Sequence, residues 1–115
     1  MTKMAGKHPK RGDIYWVFFD PSKGTEVQKT RPAVVISNDM FNKNLNRVIV
    51  APITSNVKNI FDFDCEVVVQ GKNGKIMLDQ LRTVDKTRLG NKIDSLDSKT
   101  LENLETALKI TFNLA

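Results

Sequence analysis

The chain has 115 residues, 40% of them hydrophobic and 27% charged, enough for one compact domain with a modest core. No tract is low in complexity, none repeats, and no apolar run approaches the roughly 18 residues that span a bilayer. The 18 basic residues against 13 acidic ones give a net charge of +5, which favours an anionic partner, either a nucleic acid or an acidic protein segment.

A single cysteine, Cys65, excludes an intramolecular disulfide and a cysteine-built zinc site. The opening "MTKMAGKHPKRG" is basic and lacks the apolar segment of a signal peptide, which points to a cytoplasmic protein with no membrane association. Residues 1–11 read as a basic flexible tail and residues 12–115 as a single domain.

In chain order, the first predicted element is "DIYWVFFD" (13–20), a short aromatic-rich run that reads as a strand buried on both faces. This reading puts Trp16, Phe18 and Phe19 in the core. A long polar loop (21–30) follows. The second strand is "RPAVVIS" (31–37), because the residue before a proline avoids helical geometry and β-branched residues come next. Residues 38–46 hold one short helical turn. The third strand spans 47–55, with Pro52 marking an edge or a bulge.

In 61–70, Phe61, Phe63, Cys65, Val67 and Val69 alternate with Asp62, Asp64, Glu66 and Gln70, the pattern of a half-exposed strand. Asn73-Gly74 is the strongest hairpin-turn signal, and residues 75–84 return from it as one or two strands. "DKTRLGNKI" reads as a helical turn stopped at Gly90. Last comes a helix capped by Asp97 or Ser98, with Leu101, Leu104, Leu108 and Phe112 at helical spacing. Five or six strands closed by a C-terminal helix predict a mostly β protein, a small antiparallel barrel with short helices.

The only histidine, His8, lies in the tail, which argues against histidine acid–base pairs, a Ser-His-Asp triad and a histidine metal site. No phosphate-cradling glycine loop is present. Asp62 and Asp64 stand two residues apart on a strand's polar face, where solvation explains them better than a metal. Neither a metal nor a cofactor is expected.

Arg31 is the notable cation, a planar donor fork held extended before Pro32 at a strand entrance. It suits a phosphate, although on spacing alone a structural ion pair with Glu26 or another carboxylate is the plainer reading. Thr54 ends the third strand, where a hydroxyl can serve a ligand or a turn amide. Gln80 and Arg82, in "DQLR", can face either way. Cys65 sits on the apolar face of its strand and reads as inert.

Taken together and in order, "RGDIYWVFFDP", "KGTEVQKTRPAVVIS", "VAPITS" and "LDQLRTVDKTRLGNKI" resemble the MazF/PemK family of bacterial toxins, over residues 10–114. The resemblance implies an SH3-like, plasmid-maintenance-toxin barrel, a homodimer, and the toxin of a type II toxin–antitoxin system. It implies an endoribonuclease that cuts single-stranded RNA (mRNA) at specific sequences, slowing translation and growth, and inhibition by an antitoxin with an acidic, partly disordered segment.

Carried onto this chain, the family's catalytic arginine before proline is Arg31 and the threonine of its P-x-T strand end is Thr54. The substrate-binding positions are Thr25, Glu26, Gln80 and Arg82. Many members read "GSEQ" where this chain reads "GTEV", so Val27 stands where a glutamine is usual. The related gyrase-poisoning toxins use a C-terminal aromatic tail, whereas "ITFNLA" carries no tryptophan. They remain the alternative reading, beside a non-cleaving RNA-binding barrel.

Overall fold

The computed structural model describes residues 8–21, 23–26 and 29–115. Among them are seven strands and two α-helices: β1 (Asp13–Phe18), β2 (Thr30–Val35), α1 (Asp39–Asn44), β3 (Arg47–Thr54), β4 (Asp64–Val69), β5 (Lys72–Met77), β6 (Arg82–Asp85), β7 (Leu89–Ser95) and α2 (Ser98–Phe112). Short 3-10 turns at Leu78–Gln80 and Lys86–Arg88 carry the chain into β6 and β7. No helix among the described residues is long and apolar enough to cross a membrane.

All strand pairs are antiparallel, in the order β4-β5-β3-β2-β1-β7, with β6 also on β3. β3 is the branch point. One of its edges pairs with β2 through Val50, Ala51 and Pro52. The other edge pairs with β6 over residues 47–50 and with β5 at Ile53 and Thr54. Pro52 is therefore not on an edge strand. It is buried in the stretch between the two partners, where the N–H that proline lacks is needed least.

Two cores result. One face buries Tyr15, Val17, Phe19, Ala33, Val35, Val48, Val50 and Val84, with Leu89 against them. These residues come only from strands of the sheet and the segment that links them, and such a cluster is dry only if the sheet curls onto itself. The opposite face buries Ile14, Val34, Ile36, Ala51 and Ile53 beneath the β4–β5 hairpin and Leu104 and Ala107 of α2. The predicted mostly β barrel with a closing helix is the observed architecture.

Several local expectations are corrected. β1 is buried only in part: Tyr15 and Val17 are covered, while Trp16 is 41% and Phe18 50% exposed. A six-residue strand presents alternate sides, and the hairpin over Ile14 leaves its neighbours on that side uncovered. Asp64 is buried, because its Oδ2 accepts from Phe61 N at 2.9 Å and pairs with Lys75 Nζ at 3.1 Å. The β4 ladder thus starts at Asp64, and Phe61 stacks on Phe63 outside it.

The hairpin turn is Gln70-Gly71, not Asn73-Gly74: Val69 faces Lys72, and Gln70 and Gly71 have φ of 49° and 80°. Gly74 is spent on a close approach instead. A Cβ there would lie 2.9 Å from the carbonyl oxygen of Thr54. Gly90 likewise ends no helix; it lies within β7, where a Cβ would sit 3.3 Å from the Cβ and carbonyl oxygen of Trp16.

α2 is capped as expected, by Asp97, whose Oδ1 accepts from Thr100 N at 2.8 Å and whose pKa is lowered by that bond. Its buried stripe fades at the end, and Phe112 is exposed. Of the basic N-terminal segment, residues 1–7 lie outside the described residues. The rest is tied down: Pro9 is buried and Arg11 Nε donates to Ile36 O at 2.7 Å.

Gly74→Ala forces β5 away from the end of β3 and is expected to cost about 1–3 kcal/mol of stability. Urea unfolding of the variant beside wild type measures it, and an unchanged midpoint contradicts the close approach.

Candidate active site

The β1–β2 connection is closed at its root by backbone and side chain alike. Phe19 N donates to Lys29 O at 2.9 Å, and Lys29 N to Asp20 Oδ1 at 2.8 Å. Farther out, Glu26 Oε1 accepts from Lys23 N at 2.7 Å, folding the tip into a turn. Two arginines from the far end of the chain brace the same root. Arg82 Nη1 donates to Phe19 O at 2.6 Å with its guanidinium 5.8 Å from the Phe19 ring centroid. Arg88 Nη1 donates to Phe18 O at 3.0 Å and also to Asp20 O, lying 5.9 Å from the Phe18 ring centroid.

Arg31 leaves this root on β2. It is exposed, Pro32 is half-buried, and Ala33, Val34 and Val35 are fully buried, so the guanidinium stands where the strand emerges from the core. Thr54 stands at the end of β3, held against Lys75 of β5, and its Oγ1 accepts from Asn56 N at 3.2 Å. That bond uses an oxygen lone pair and leaves the hydroxyl proton for another acceptor.

These side chains line adjoining clefts. One of about 420 Å³ is walled by Thr25, Glu26, Arg31, Thr54 and Gln80. A second, of about 360 Å³, shares Thr25, Glu26 and Gln80 and extends to Arg82. A third, of about 280 Å³, shares Arg31 and Thr54 and extends to Trp16 and Lys72. Shared walls make one groove with Arg31 and Thr54 at its waist. All six residues singled out from the sequence border it, although Arg82 also serves as a brace. Val27 lies outside the described residues.

Sequence reasoning missed the third arm. Trp16 was read as core because an unbroken aromatic run hides which side of the strand is covered; only the alternation of Tyr15, Val17 and Phe19 against Trp16 and Phe18 could have revealed it.

Another cleft, about 530 Å³ between β4 and the start of α2, has only acidic ionisable groups on its wall, Glu66, Asp94 and Asp97, which suits no polyanion. Among the described residues, no three His, Cys, Asp or Glu side chains gather as a metal site. Burial, and to a lesser degree Glu66, pushes the Cys65 thiol up to about 11, consistent with an unreactive core residue.

A curled antiparallel sheet backed by one helix is the fold shared with solved MazF toxins. Residues 10–112 match the family described as the PemK-like, MazF-like toxin of type II toxin-antitoxin systems, and the chain belongs to that family. Endoribonuclease EndoA of Bacillus subtilis is 34% identical over 110 residues, covering 91% of this chain and 95% of that protein. MazF of Deinococcus radiodurans superposes with a TM-score of 0.80 at 24% identity, over 93% of this chain and 98% of that one. A mycobacterial endoribonuclease solved in complex with its cognate antitoxin gives 0.78 at 19% identity, over 93% and 97%.

Arg88→Ala strips a donor from the Phe18 and Asp20 carbonyls. It is expected to lower stability by about 1–2 kcal/mol, with Arg88→Lys recovering only part because an ammonium lacks the planar guanidinium that lies over the Phe18 ring. Urea midpoints at constant slope provide the check.

Proposed function

We propose that this protein is the toxin of a type II toxin–antitoxin system and acts as an endoribonuclease on single-stranded RNA. The observation that carries the reading is the meeting of Arg31 and Thr54 at the waist of one groove in a chain of this family. Its 34% identity to an endoribonuclease over nearly the whole length supports the activity. The cytoplasm, where mRNA is found, is its place of action.

In this reading the substrate's own 2′-hydroxyl attacks the adjacent phosphorus. The new O–P bond closes a 2′,3′-cyclic phosphate while the P–O5′ bond breaks and the 5′-oxygen leaves with a proton. Arg31 stabilises the charge that builds on the phosphoryl oxygens, where a fixed planar donor is worth most, and assists the proton transfer. Thr54 donates its free hydroxyl proton to the phosphate. Thr25, Glu26, Gln80 and Arg82 line the arm that positions bases.

The toxin pairs with a cognate antitoxin, as the mycobacterial neighbour does with its own. An acidic, partly disordered segment is drawn to the net charge of +5 and covers the loop above Arg31. The exposed Ile110, Phe112 and Leu114 at the end of α2 favour a homodimer. Light scattering at micromolar concentration should then give about twice the 13.0 kDa chain mass, and a monomer that still cleaves RNA contradicts the dimer.

For the chemistry, a long RNA of mixed sequence should be cut in the presence of excess chelator, leaving a cyclic or 3′-phosphate and a 5′-hydroxyl. A 2′-deoxyribose at the scissile position should abolish cutting and spare binding. Arg31→Ala should lose at least about 10²-fold in rate, with Arg31→Lys recovering a part and Thr54→Ala losing less. His8→Ala should change nothing. A folded Arg31→Ala protein with wild-type rate overturns the site, and 5′-phosphate ends overturn the mechanism.

A further inference from the structure

The groove does not end at Arg31 and Thr54. Its third arm continues between β1 and the β4–β5 turn, past Trp16, Gln70, Lys72 and Asn73. No carboxylate lines this arm. An exposed indole beside a lysine and two side-chain amides, with no acidic group, is a wall suited to a nucleobase and its phosphate.

The position of Trp16 is built rather than incidental. Ile14, on the same side of β1, is fully buried, yet Trp16 two residues on is 41% exposed. The β1–β7 register shifts between Tyr15 and Val17, so two steps along β1 face three along β7, from Leu89 to Lys92. Such a bulge re-aims the side chain beside it. Gly90 lies in that bulge, and the absence of its Cβ lets β7 close to within van der Waals contact of the Trp16 backbone. A large aromatic side chain held on a braced backbone and facing a cleft is placed to stack against a base.

Resting on the endoribonuclease reading, we infer that Trp16 is the stacking platform of a second nucleotide subsite, on the side of the scissile phosphate opposite Thr25, Glu26 and Gln80. Lys72 supplies the phosphate contact there. The subsite sets how far along the RNA the protein reads beyond its cutting position.

Trp16 is the only tryptophan in the chain, so its emission reports this arm alone. The probe is an RNA made uncleavable by a 2′-deoxyribose at the mapped cutting position, titrated into the full-length protein. The tryptophan emission should quench saturably, with the same midpoint as the fluorescence anisotropy of a labelled RNA. Trp16→Ala should weaken binding about tenfold, and Trp16→Phe should retain most of the affinity. Of two RNAs trimmed from opposite ends up to the cutting position, one should bind wild type and Trp16→Ala equally.

Emission that stays constant while anisotropy reports binding overturns the subsite, as does a folded Trp16→Ala protein with wild-type affinity for the full-length RNA. Emission that responds to dilution of the protein but not to RNA marks a subunit contact instead and also overturns it. In each of these cases cleavage by wild type and its loss in Arg31→Ala still stand, so the failure is of the subsite and not of the endoribonuclease reading. If Trp16→Ala does not fold, the quenching of wild type and the affinity of Trp16→Phe decide.

Discussion

The structure hangs on the forked edge of β3. A strand has two edges, and β3 gives one to β2 while dividing the other between β6 and β5. The division requires β5 to come in close at the end of β3, and the backbone of Gly74 against the Thr54 carbonyl is where it does so. Once that contact forms, the β4–β5 hairpin covers Ile14, Val34 and Ile53, and α2 finds a surface for Leu104 and Ala107. The same contact fixes Thr54 beside the emerging β2. Core and groove are thus two results of one backbone approach.

The basic residues divide into two kinds of work. Arg82 and Arg88 point at backbone carbonyls at the end of β1 and lie over phenylalanine rings, and Lys75 is shut against Asp64 and the Asn59 carbonyl. Their charge goes into holding loops, although Arg82 also borders the groove. Arg31 and Lys72 stand on the groove wall. A net charge read from composition counts all of these alike, although only some of them line the groove.

What was legible in the sequence followed from local stereochemistry. Pro32 fixed Arg31 at a strand entrance, Asp97 capped α2 as its position promised, and the short helix after β2 appeared within residues 38–46. What was not legible depended on partners distant in sequence. Asn73-Gly74 carries the chemistry of a tight turn, yet Gly74 answers to Thr54 across the sheet, and the turn moved to Gln70-Gly71. Gly90 looked like a helix stop and proved to be room for Trp16. Asp64 fitted the solvent side of an alternating strand until Lys75 gave it a buried partner. The catalytic candidates were nameable from motif order, but their neighbour Trp16 was hidden by a run in which every residue is apolar.

The pairing of β1 with β7 has a consequence in the order of synthesis. The ribosome makes β1, the loop, Arg31 and Thr54 early, but the strand that braces Trp16 and the arginine that ties the loop root come from residues 88–95. Pairings so far apart along the chain form late and slowly. A nascent chain therefore carries Arg31 and Thr54 before the frame that aligns them exists. The groove can close only after residues 88–95 have emerged, so a chain that stops short of them does not present it whole.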